Sequence, residues 1–75
     1  MTEKEFNEAC RYANSKLNGL QVTEALEAIE HREPIPYEIS DTLYDAMEEW
    51  CEEHDLCEGE WLEWGEVEDV FLNQE

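Results

Sequence analysis

Beyond Arg32 this chain contains no lysine or arginine, and before it only Lys4, Arg11 and Lys16. That scarcity argues against direct binding to nucleic acid or to anionic membranes, because both are polyanions. Glycine is scarce too, with 3 residues, and none belongs to a phosphate-cradling G-x-x-x-x-G-K-[ST] loop. No apolar run approaches the roughly 20 residues that span a bilayer. The opening stretch MTEKEFNEAC has neither the basic nor the apolar region of a signal peptide, so a cytoplasmic location is expected. Cysteine is limited to Cys10, Cys51 and Cys57. An odd number cannot pair completely within one chain and fits a reducing compartment better than a disulfide scaffold. No repeat of fixed period and no low-complexity tract breaks the chain, apart from its acid bias.

What is present in excess is carboxylate: 22 acidic residues against 4 basic ones, a net charge of −18. The first 32 positions hold all four basic residues and six acids, a net −2, whereas residues 33–75 hold 16 acids and no base, a net −16. Such a balance favours disorder when apolar content is low, but 41% of this chain is apolar and it carries three tryptophans, each able to bury a large area. One folded domain over residues 1–75 is expected, with a thin core, since a chain this short buries only about 60 to 65% of the surface its unfolded form exposes. Self-repulsion weakens it further. Added NaCl should therefore raise the melting temperature by screening the carboxylates; a melting temperature that falls with salt would contradict this.

The pattern predicts a mainly α fold, a small bundle of three helices plus a short C-terminal helix or irregular segment. Thr2 and Glu5 have capping-box spacing, Phe6, Ala9, Cys10, Ala13 and Leu17 form one apolar face, and Gly19 follows as a stop. A second helix is expected from an N-cap at Thr23 to about residue 32, with Val22, Leu26 and Ile29 inward and Glu24, Glu27 and Glu30 outward. Pro34 and Pro36 then make residues 33–37 an extended connector. The third helix is expected to start at Ser40 or Asp41, with Ile39 and Tyr44 as a hydrophobic staple. Its inner face is read as Leu43, Ala46, Met47, Trp50, Cys51 and His54. Residues 60–64, between Gly59 and Gly65, fit a helical turn, a short extended piece or half of a hairpin, and Val67, Val70 and Phe71 predict a last helix over 66–73.

Asp41, Asp45, Glu48, Glu49 and Glu52 fall on the outer face of that third helix, with Glu53 and Asp55 extending it, so an acidic ridge without counter-charges is predicted. Glu60, Glu63, Glu66, Glu68 and Asp69 form a second acidic set. A charge run of this kind is ordinarily a solvated face, yet its scale matters. A domain of this length has a diameter of roughly 29 Å, and 18 charges correspond to about 31 Å of duplex DNA. Trp61 and Trp64 flank Leu62 within the acidic stretch; core packing is their default role, and exposure of either would make it an anchor for a partner.

Cys51, His54 and Cys57 have the spacing C-x2-H-x2-C, with Glu53 or Glu58 nearby as a fourth ligand, but zinc sites generally draw their ligands in pairs from separate parts of a chain. The window from Asp55 to Glu66 fails as an EF-hand because Cys57 and Gly59 stand where oxygen ligands belong and Glu60 where the turn glycine belongs. No metal or other cofactor is expected. No nucleophile, base and orienting group occur together, so a non-enzymatic role is expected.

In size, charge and acid placement over residues 33–75, the chain resembles a class of small acidic helical proteins of phages and mobile elements. Members of that class mimic nucleic acid and block restriction enzymes, CRISPR effectors or other DNA-binding proteins. The likeness implies a basic protein surface as partner, such as the groove of a DNA- or RNA-binding protein. It carries over no individual residue, because the class shares neither motif nor fold. The alternative is a protein-interaction module, an adaptor, antitoxin-like neutraliser or homodimer, built on the aromatic surface near Trp61 and Trp64.

Overall fold

The computed structural model describes residues 1–57 and 59–72, and it is helical, with no strand among them. Four helices follow in order: α1 (Glu3–Ser15), α2 (Gly19–Glu30), α3 (Tyr37–Glu53) and α4 (Val67–Leu72), with a single 3-10 turn at Glu60–Glu63 between the last two. The expected three helices and short fourth are present, and residues 60–64 take the helical alternative in place of a hairpin. Asn73, expected at the end of the last helix, lies outside the described residues.

α1 forms as its spacing demands. The Thr2 hydroxyl accepts the Glu5 amide at 3.2 Å, and the Glu5 carboxylate accepts the Thr2 amide at 2.8 Å, so two amides left open at the helix start are satisfied reciprocally. Phe6, Ala9, Cys10 and Ala13 are buried along one face, which packs chiefly on α3. α3 supplies Ile39, Leu43, Ala46, Met47, Trp50 and Cys51 to the same core, and Trp61, Val70 and Phe71 complete it. α4 touches α1, α2 and α3, whereas α2 is held chiefly through α4. The amide of Asn14 on α1 donates to the Cys10 carbonyl at 2.8 Å and to the Val70 carbonyl at 3.1 Å, joining α1 to α4.

Two helix starts differ from expectation. α2 begins at Gly19, four residues before Thr23, because Asn18 caps it: Asn18 Oδ1 accepts the Gln21 amide at 2.8 Å and Gln21 Oε1 accepts the Asn18 amide at 3.1 Å. Gly19 is therefore the first helical residue, not a stop, and Thr23 turns its hydroxyl back to the Gly19 carbonyl. Ala25 and Ala28 are its buried residues, with Val22, Leu26 and Ile29 half-buried at the margins. α3 begins at Tyr37, not at Ser40 or Asp41, and α2 ends at Glu30, so the connector runs over residues 31–36, shifted toward the N-terminus from the expected 33–37. Pro36 occupies the cap at φ −52° and ψ 135°, a position where its missing N–H is no loss. Ile39 then lies inside the helix and is buried, so it is no staple residue.

Both α2 and α3 end in Schellman motifs. The Glu33 amide donates to the Ala28 carbonyl at 2.8 Å and that of Leu56 to Cys51 at 2.8 Å, which places Arg32 and Asp55 in the left-handed position at φ 57° and 56°. Glycine is the residue suited to this geometry, and other side chains pay for it in strain of about 1 kcal/mol or more. Asp55→Gly relieves that strain and also removes one repelling carboxylate. Its urea midpoint should therefore rise, by the equivalent of about 1 kcal/mol; an unchanged midpoint would show that Asp55 adopts this conformation without penalty. Gly59, at φ 78°, uses the same region where the chain enters the 3-10 turn. Gly65 is required for a different reason, since a Cβ there would lie 2.9 Å from Asp69 Cβ and 3.2 Å from Phe6 Cζ.

Candidate acidic interface

The ridge is a consequence of helical geometry on α3. At about 100° per residue, Asp41, Asp45, Glu48, Glu49 and Glu52 fall within an arc of roughly 100°, centred opposite the buried stripe from Ile39 to Cys51. Glu53 lies at the edge of that arc, whereas Asp55, expected to extend the ridge, falls past the helix end in the left-handed conformation and is not part of it. Glu38 joins the stripe as well. Sequence reasoning missed it because it started the helix at Ser40, and the signal was available in the tolerance of helix starts for a preceding proline. Glu38, Asp41, Asp45, Glu49, Glu52 and Glu53 are exposed, and Glu48 is half-buried. From Glu38 to Glu53 the helix rises about 22 Å, so the seven carboxylates average one per roughly 4 Å of axis, in uneven steps of about 1.5 to 6 Å; the mean is near the ~3.4 Å between phosphates along one strand of a duplex. The last turn of α3 holds no basic residue, so Glu52 and Glu53 sit where the helix dipole opposes them. Lys16, at the end of α1, is one counterweight to the ridge. Its ammonium lies 4.8 Å from the centre of the Tyr12 ring, and its pKa is raised by the hydrogen bond to Tyr12 and the Tyr12 field, and more weakly by Glu49 and Glu53.

The second acidic set is divided by the structure. Glu60 is bound internally: the Met1 ammonium lies 2.6 Å from its carboxylate, and that hydrogen bond holds the Glu60 pKa below the usual carboxylate range and the Met1 amine above its own. Asp69 accepts the Glu66 amide at 2.9 Å at the start of α4, which is a capping role. Glu63, Glu66 and Glu68 remain exposed. Glu66 and Glu68 border an open cleft of about 380 Å³ whose other walls are Ile35, Ser40, Leu62 and Val67.

The two tryptophans also separate. Trp61 is completely buried and meets Tyr44 edge-on, ring centres 5.3 Å apart, so it belongs to the core and offers no surface to a partner. Trp64 is 47% exposed and stacks on Phe6 at 6.4 Å. The aromatic surface proposed from sequence thus reduces to Trp64.

Cys51, His54 and Cys57 are not brought together, and no group of three His, Cys, Asp or Glu residues placed to hold a metal occurs among the described residues. Glu58 lies outside them. Cys51 is in the core, Cys57 is exposed, and His54 is exposed at the end of α3, where its ring stacks on Trp50 at 3.8 Å and its Nδ1 lies 2.9 Å from the Trp50 carbonyl. His54 therefore caps the helix and is not an inner-face residue as the periodicity implied. Burial pushes the Cys51 thiol up from its ordinary value of 9.0. The folded state then holds this proton more tightly than the unfolded chain, so its contribution to stability is intact below pH 9 and is lost as pH rises through the folded-state pKa. Between about pH 8 and 10.5 the melting temperature should fall more steeply for the native chain than for Cys51→Ala; equal slopes would discount the thiol.

No helix among the described residues is long and apolar enough to cross a membrane. Compared with protein-family models, curated proteins and solved structures, the chain matches none of them.

Proposed function

We propose that this chain is a non-enzymatic binding protein that acts by occupancy, its α3 ridge filling a basic groove that a DNA- or RNA-binding protein keeps for phosphates, in the manner of antirestriction and anti-CRISPR inhibitors. The observation that supports this reading is the stripe from Glu38 to Glu53: seven carboxylates along about 22 Å of one helix, six of them exposed and Glu48 half-buried, on the side of α3 opposite its buried residues. A helix loses local stability by ending in Glu52 and Glu53, and a gain in binding offsets that loss. Association with such a groove is fast through electrostatic steering and weakens steeply with salt.

Trp64 supports a second reading, an interaction module, because a half-exposed tryptophan is the kind of residue that anchors interfaces. A homodimer built on it has to bring two chains of net charge −18 together, which favours an unlike, basic partner. Capture from a nuclease-treated bacterial lysate, elution by a salt gradient and competition with DNA and RNA separate the two. Mimicry predicts a nucleic-acid-binding protein that leaves at moderate salt and is displaced by DNA or RNA. A partner that resists salt and is lost on Trp64→Ala would transfer the function to the aromatic surface.

A further inference from the structure

The cleft beside α4 is chemically unlike the ridge. Ile35, Leu62 and Val67 give it apolar walls, Glu66 and Glu68 stand exposed at its border, and Ser40 closes one side. Leu62 is 41% exposed, in a stretch whose polar residues are almost all acidic. Its volume of about 380 Å³ lies at the lower end of what ligand sites occupy. Beyond Glu68 a second hollow of about 300 Å³ continues past Ile29, Pro34 and Arg32, so Glu68 stands between two recesses along the proline-containing connector.

We infer that this cleft is an anchoring pocket for one apolar side chain that the basic partner presents between lysines or arginines. The inference rests on the reading of the chain as a ligand for basic proteins, and it adds a specificity element to it. Complementarity selects the occupant. Apolar walls reward burial of an apolar side chain, while Glu66 and Glu68 repel an acidic flank and attract a basic one. A second copy of this chain is the wrong occupant, since it brings net charge −18 to a border that is already acidic. The ridge supplies rate and long-range attraction, which any basic groove shares; the cleft distinguishes among basic partners by what lies between their charges.

Two synthetic peptides of equal charge test this, lysines and arginines surrounding a central phenylalanine in one and a central serine in the other. They are titrated into the isotopically labelled full chain and followed by amide NMR shifts. The phenylalanine peptide should bind about tenfold more tightly, shift Ile35, Leu62 and Val67, and lose its advantage in Leu62→Ser. Equal affinities, binding by neither peptide, shifts confined to the outer face of α3, or an advantage that survives Leu62→Ser would each overturn the pocket. The ridge is judged separately with a variant in which Asp45, Glu48 and Glu52 are lysine. That variant should weaken both peptides while preserving the preference for phenylalanine. Unchanged affinity in it would count against the ridge and leave the pocket standing.

Discussion

Reversal of Asp45, Glu48 and Glu52 to lysine should abolish binding to the basic partner while leaving helix content unchanged. The three positions lie on the stripe from its middle to its C-terminal end, and the substitution turns three attractive contacts into repulsive ones. Close charge pairs across interfaces couple by about 1.5 kcal/mol or more each, so losing three costs at least roughly 4 kcal/mol, near a thousandfold in affinity. The fold survives because the residues face away from the buried side of α3 and because lysine can carry its charge out from the half-buried position of Glu48. Stability should increase, since net charge falls in magnitude and the change at Glu52 reverses an unfavourable dipole interaction in the last turn. Circular dichroism, a thermal melt and calorimetric titration with the captured partner check all three claims. Native affinity in a folded variant would place the binding surface elsewhere.

Phe71→Ala should leave the chain largely unfolded at low salt. Phe71 is completely buried on α4, the element that touches each of the other three helices. Truncating a buried phenylalanine costs about 3–5 kcal/mol, and a 75-residue domain has a total stability of only about 4–11 kcal/mol. Repulsion among the carboxylates places this protein toward the lower end of that range. Phe71→Leu, which keeps most of the volume, should stay folded with a lower urea midpoint. A cooperative native-like melt for Phe71→Ala would mean that α4 contributes little to the core.

The sequence made some of this architecture legible and hid the rest for identifiable reasons. The start and the buried face of α1 could be read because its cap and its apolar positions are local signals; its end could not, since the helix stops at Ser15, short of Leu17 and of the glycine expected to end it. The ridge could be read because acids at helical spacing need only a helix beneath them. The starts of α2 and α3 could not, because Gly19 and Pro36 read locally as breakers, whereas in context each sits at a helix start where its peculiarity does no harm. Asn18 and Gln21 outweigh the glycine by capping one another, and the φ fixed in Pro36 suits the cap. A helix read as starting after Pro36 and Tyr37 leaves Glu38 out of the ridge, where the structure includes it. Trp61 and Trp64 were indistinguishable in sequence because both lie in one short acidic stretch. Their separation depends on where the 3-10 turn docks, a tertiary fact that sends one into the core beside Tyr44 and leaves the other against Phe6.

The way α2 is attached governs how the molecule opens. A helix of 6 residues such as α4 cannot stand alone in water, and α2 rests on it more than on any other element. Transient release of α4 therefore frees α2 with it, while α1 and α3 keep their shared seam. Amide protons of α2 and α4 should exchange with solvent as one unit, ahead of those in α1 and α3, in a hydrogen-exchange time course. The acidic stripe would then ride on the slower-exchanging half of the protein, its carboxylates holding their spacing while the other half opens.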